Sequence, residues 1–212
     1  CETLETEKDT YKTILKASEE VLFKERGSKF FGYAFPVVSE EEVKEHIENL
    51  KKTHHTARHF CYAWQLGKSY EHYRANDDGE PSNSAGMPIY GQLQSFDVTN
   101  ILVVVVRYFG GTKLGVGGLI QAYKTAAQMA LENCRIIEET IDETFLLKFE
   151  YPEMNTVMRI LKDEDINIVD QKMELNCEFK IAVRKKDAER IFELFENTYK
   201  VKIIKKEISN SK

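Results

Sequence analysis

Three short stretches carry side chains whose types and spacing could do chemistry. The first is "YFGGTKLGVGG", residues 108–118, which follows the apolar run "ILVVVV" at 101–106. A strand, a glycine-rich loop and a helix in that order are the parts of a phosphate site. Glycine lets backbone N–H groups converge, and a helix amino end adds partial positive charge. Gly110, Gly111, Gly115, Gly117 and Gly118, with the cations Arg107 and Lys113, therefore form a candidate anion or nucleic-acid site. The nucleotide fingerprints fail. A P-loop needs Lys and then Ser or Thr after Gly115, where Val116 and Gly117 stand, and a dinucleotide loop needs glycine where Ile120 stands. What remains is a generic anion site or a structural turn.

The second stretch is "YRANDDGEPSNSAG", residues 73–86. Asp77, Asp78 and Glu80 could hold a divalent cation or share a proton as an acid/base pair. The same residues also make an ordinary loop in which aspartate accepts backbone N–H bonds. The third is "HHTARHFCYAW", residues 54–64. His55, His59 and Cys61 offer three soft ligands but no visible fourth, so no metal and no cofactor are expected. His59 and Cys61 match no protease signature. A strand whose polar residues belong to a binding surface, with Tyr62 and Trp64 inward, is the preferred reading.

The elements that must position these residues fall into two textures. "KFFGYAFPVV" (29–38), "HFCYAWQLG" (59–67) and "NILVVVVRYF" (100–109) read as strands. "SEEEVKEHIENLKKT" (39–53) reads as a helix with Ser39 and Glu42 as a capping box, "SNSAGMPIYGQLQSF" (82–96) as a short interrupted helix, and "LIQAYKTAAQMALENC" (119–134) as a packed one. Gly118 is the last of eleven glycines. From 136 onward, strand "IIEETIDETFLLKFEY", helix "EMNTVMRILKDED", strands "INIVDQKME" and "LNCEFKIAVRK", helix "DAERIFELFENT" and strand "YKVKIIKKEI" give the order βαββαβ. That order predicts a ferredoxin-like sandwich. The domains expected are 1–138 and 139–212, in an α+β chain.

The formal charge of −5 argues against coating nucleic acid over the whole surface. Residues 54–135 stand apart, with seven Lys and Arg against six Asp and Glu and four of the five histidines. If an anion binds, this stretch is where it is expected to bind. No apolar stretch approaches the roughly 20 residues of a membrane helix, and the acidic start lacks a signal-peptide pattern, so no membrane and a cytoplasmic location are expected. Cys1, Cys61, Cys134 and Cys177 are scattered and read as reduced thiols; Cys1 in place of an initiator Met reads as a processed start or a cloning remnant.

Taken together, "ARHFCYAW", "RANDDGEPSNSAGMPI" and "NILVVVVRYFGGTKLGVGGLIQAY" closely resemble the YigZ/Impact family, in the same order and at similar spacing. The resemblance is strong over residues 20–135, and 140–205 look like the small second domain of bacterial members. It implies a first domain similar to domain 2 of ribosomal protein S5 and a second similar to the last domain of elongation factor G. It also implies translation regulation, with RNA, the ribosome or a translation-associated protein as partner. The family's signature falls on His59, Cys61, Asp77, Asp78, Gly79, Glu80, Pro81, Ser82 and Gly86, and again on Arg107, Tyr108, Phe109, Gly110, Gly111, Lys113, Leu114, Gly115, Gly117 and Gly118. Met87 and Gln121 stand where relatives often carry lysine and arginine, which weakens the cationic surface. The resulting expectation is a binding protein, not an enzyme. Its rival is a small-molecule or metal-dependent hydrolase working from Asp77, Asp78, Glu80, His59 and Cys61, and a third reading is a pure protein-interaction module. The oligomeric state is left open.

Overall fold

The computed structural model describes residues 9–205, so Cys1 lies outside the described residues. The chain divides into two compact units, one spanning Tyr11–Glu139 and the other taking Asp9 and Thr10 together with the chain from Thr140 onward.

In the first unit, β2 (Val21–Glu25), β3 (Ser28–Pro36), β4 (His59–Leu66), β5 (His72–Asn76) and β6 (Ile101–Tyr108) form a sheet in the order β2-β3-β6-β4-β5. All neighbours are antiparallel. β1 (Thr10–Ile14) pairs with β7 (Ile136–Thr140) in a separate two-stranded sheet. The apolar β6 lies at the centre and is buried on both faces, as its unbroken run of aliphatic residues requires. Strand alternation sorts the two faces. Ile101, Val103 and Val105 pack with α2 (Gly86–Phe96) and α3 (Gly115–Glu132), while Leu102, Val104 and Val106 pack with α1 (Glu40–Thr53). Ser39 caps α1 by accepting from the Glu42 N–H at 3.3 Å, while Glu42 accepts from the Val38 N–H at 2.6 Å.

Three differences from the sequence reading bear on the site. The helix α3 begins at Gly115 and takes Gly115, Gly117 and Gly118 into its first turn, so the loop proper is only 109–114. The helix α2 is continuous through Gly91, and Pro88 sits in its first turn, where a missing N–H costs nothing. The segment 136–151 is not one strand: it breaks at Ile141, β7 pairing with β1 and β8 (Asp142–Glu150) joining the second unit.

That second unit runs β8, a single 3₁₀ turn at Tyr151–Glu153, α4 (Met154–Asp163), β9 (Asn167–Met173), β10 (Asn176–Arg184), α5 (Lys185–Glu196) and β11 (Val201–Lys205). The sheet order is β11-β8-β10-β9, antiparallel throughout. Phe145, Leu147 and Phe149 alternate toward Val157, Leu161, Ile191 and Phe195 of the two helices and form its core.

Candidate nucleic-acid interface

Register gathers the sequence-selected residues at one end of the five-stranded sheet. Arg107 of β6 pairs with His59 at the start of β4, and Tyr108 pairs with Lys29 near the start of β3. The β2–β3 hairpin turns through Arg26 (φ 47°) and Gly27 (φ 81°), the two positive angles of a type I′ turn. β5 runs parallel to β6 across the sheet, so the loop 77–85 and the amino ends of α2 and α3 emerge at this same end.

The glycine loop packs onto the hairpin. The Gly110 N–H donates to Ser28 Oγ at 3.2 Å, and a Cβ at Gly110 would overlap Gly27 C and Ser28 N. Gly111 and Gly115 have φ of 89° and 73°, with open space where a side chain would go. Gly117 is exposed and Gly118 half-buried in the first helical turn. Lys113 is exposed.

Arg107 lies elsewhere than the spacing suggested. The odd positions of β6 face α2 and α3, so its guanidinium points beneath the loop, where the side chain is 7 % exposed. Its Nη1 donates to Glu80 Oε1 at 2.6 Å, and the same oxygen accepts from Tyr123 Oη of α3 at 2.7 Å. The rings of Phe30 and Phe109 lie 5.7 Å from the guanidinium and cover it, and its Nε, buried, has no hydrogen-bond partner. His59 Nε2 stands 3.7 Å from Glu80 Oε1, and its Nδ1 is 2.8 Å from the Asp78 carbonyl, which fixes Nδ1 as a donor.

The acidic loop is bound internally. Asp77 accepts from the N–H groups of Asn83, Ala85 and Gly86, at 2.9, 3.2 and 2.8 Å, and so closes the amino end of α2. Asp78 accepts from the Phe60 N–H at 2.7 Å. Ser82 is exposed beside them. Cys61 is buried rather than on a surface strand, because β4 is covered on both faces. Its thiol donates to the Asp77 carbonyl at 3.0 Å, and burial pushes its pKa up, the opposite of what a nucleophile needs. Among the described residues no three His, Cys, Asp or Glu side chains converge as a metal would require.

The two helices thus differ at their amino ends. α2 is closed by a carboxylate, whereas α3 has no side-chain cap and no acidic residue in its first turn. Around the open end stand the exposed cations Arg26, Arg58 and Lys113 and the half-exposed ring of Phe109, while Lys29, paired with Tyr108, points to the α1 face. Arg58 hydrogen-bonds through its N–H to the Arg107 carbonyl at 3.4 Å and lies 5.8 Å over Phe109. Spacing within the sequence did not single out Arg26. It reaches the loop only through the contact of Gly27 with Gly110.

A model for the Impact N-terminal domain matches residues 26–131. The chain belongs to the Impact family. It is 32% identical over 178 residues to the Impact family member YvyE of Bacillus subtilis, covering 84% of this chain and 82% of that one. A crystal structure of a hypothetical protein superposes with a TM-score of 0.68 at 26% identity, over 95% of this Impact chain and all of the other. The structure of the two-domain translational regulator Yih1 matches 56% of this chain and 45% of its own at 28% identity, with a TM-score of 0.35. No helix of this Impact chain among the described residues is long and apolar enough to cross a membrane.

On the opposite face of the Impact sheet, Tyr108 enters a second network, since even positions of β6 face α1. Its hydroxyl is 2.7 Å from His54 Nδ1, His54 Nε2 is 2.5 Å from Tyr33 Oη, and Tyr33 hydrogen-bonds Glu20. A neutral His54 with its proton on Nε2 satisfies every member: Tyr108 donates to it, and Tyr33 donates on to the carboxylate. Burial lowers the His54 pKa from 6.5, with Glu20 opposing more weakly. The folded state therefore binds fewer protons than the unfolded one, and stability is lost as pH falls below about 6.5. Urea titrations between pH 7.5 and 5 should show this decline, and His54→Gln should flatten it; an equal decline in the variant would assign it to other groups.

Proposed function

We propose that this Impact protein is a translation-associated regulator that docks on an RNA backbone, free or ribosomal, through the open amino end of α3. The single observation that carries the reading is the contrast between the helices. Asp77 neutralises the end of α2, while the end of α3 is bare and flanked by Arg26, Arg58 and Lys113. In the same reading the domains divide at 138/139, the first being of the ribosomal S5 domain 2 type and the second ferredoxin-like, as in the last domain of elongation factor G. The site is cytoplasmic, needs no cofactor and catalyses no reaction. A hydrolase would need free carboxylates or a thiolate; Asp77, Asp78 and Glu80 are committed to N–H groups, to Arg107 and to Tyr123, and the Cys61 thiol is held protonated.

Lys113→Glu should reduce co-sedimentation with ribosomes several-fold while leaving the melting temperature within about 1 °C, since Lys113 is exposed and mid-loop. Unchanged co-sedimentation would remove the loop from the interface.

A further inference from the structure

The hairpin that abuts the glycine loop carries charge that the fold does not use. Where β2 turns into β3 the sequence reads "KERGSK", residues 24–29, with Lys24, Arg26 and Lys29 all exposed. The register of the two strands sets Lys24 directly opposite Lys29. Lys29 pairs on its other side with Tyr108, whose ring packs with the α1-side core. Both lysines therefore leave from the α1 face, with Cα atoms about 4.5–5.5 Å apart. Like charges in that position destabilise an antiparallel pair.

Nothing nearby neutralises them. Among the described residues neither lysine has an ion pair. Glu25 pairs with the buried Ser28 and so leaves from the opposite face, and Glu20, further up the sheet, holds the Tyr33 hydroxyl. A charge on the edge strand β2 guards it against pairing with another chain, but a glutamate at 24 would do so equally and would also attract Lys29. The turn breaks a second local rule. Arg26 takes the first central position of the type I′ turn, at φ 47°, where Asn, Asp or Gly sits with less strain. Twice within six residues the chain keeps a cation at a cost to its own folding, which marks a place shaped by something other than stability. That place adjoins the open end of α3, since Ser28 Oγ accepts the Gly110 N–H at 3.2 Å and ties the hairpin to the glycine loop.

We infer, resting on the RNA reading above, that Lys24 and Lys29 clamp a further phosphate of the same RNA strand. The strand passes from the open end of α3 over Arg26 at the hairpin tip and onto the α1 face. A phosphate between the two ammonium groups replaces their repulsion with two charge-assisted contacts.

Stability and RNA affinity, measured on the same full-chain variants, should move in opposite directions. Lys24→Glu sets a carboxylate opposite Lys29, so the melting temperature should rise by about 1–3 °C. Its affinity for a single-stranded RNA oligomer of about twelve nucleotides should fall about fivefold, with the salt slope flattened by about 0.7 relative to the parent. Lys29→Glu should behave alike. Lys44→Glu makes the same charge change at an exposed position of α1 and should keep RNA affinity within about twofold. If both hairpin variants bind no more weakly than Lys44→Glu while Lys113→Glu loses affinity, the clamp is overturned and the interface at α3 stands. If Lys113→Glu also binds as the parent does, both fall. A lower melting temperature in both hairpin variants overturns the clamp as well, because the two lysines would then be serving the fold.

Discussion

Arg107→Leu is expected to destabilise the first unit by about 3–5 kcal/mol, because it strands the Glu80 carboxylate, 3 % exposed, without its cation. The remaining neighbours do not compensate, since Tyr123 offers one neutral donor and His59 Nε2, at 3.7 Å, lies beyond hydrogen-bond distance. A loss of that size lowers the melting temperature by roughly 10 °C or more for a unit of this length. Glu80→Gln should cost a comparable amount by stranding the guanidinium, and Arg107→Leu/Glu80→Leu should be less damaging than the sum of the singles, since neither charge is then left alone. Additive losses in that cycle would mean that the two groups act separately. The consequence for function is direct. Reversal of Arg107 is a poor probe of anion binding, because lost binding would report lost structure.

Gly110→Val is expected to produce the second large effect. A side chain there would enter the backbone of Gly27 and Ser28, where no flexible group can move aside. Either the loop separates from the β2–β3 hairpin or the hairpin turn distorts, and in both cases the Gly110 N–H loses Ser28 Oγ while Ser28, fully buried, loses its partner. A destabilisation of about 2–4 kcal/mol follows. Gly117→Ala, in the exposed first turn of α3 with open space around it, should be neutral or slightly stabilising. Thermal melts of the two variants decide the point. Equal melting temperatures would mean that the loop does not depend on the close approach at Gly110.

The central features of the fold were legible because they rest on strong local signals. The aliphatic run 101–106 could only be a strand buried on both faces, and Ser39 with Glu42 marked the start of α1. The short strands β1, β2 and β5 were not legible. β2 and β5 are sheet edges of five residues each, half-solvated, and their apolar content is too sparse to announce a period. At the site, residue type was readable but partnership was not. The sequence separates Arg107, which ends a buried strand and could pair with Asp77, Asp78 or Glu80, from Lys113 in mid-loop, but it does not choose among the three carboxylates. Only the parity of β6 sends Arg107 to Glu80, and only the path of α3 brings Tyr123 to the same oxygen. Asp77 and Glu80 likewise look alike in the sequence, yet one closes a helix and the other neutralises a buried cation.

The most direct measurement of the central claim is the salt dependence of binding to a single-stranded RNA oligomer by the parent, Lys113→Glu and Arg58→Glu, each first shown to melt as the parent does. If the three exposed cations Arg26, Arg58 and Lys113 at the open end of α3 each engage a phosphate, log K should fall with log salt at a slope of about −2, and each variant should flatten that slope by about 0.7. Should Lys113→Glu and Arg58→Glu bind with the parent's affinity at low salt and with the parent's slope, the uncapped end of α3 holds no RNA backbone.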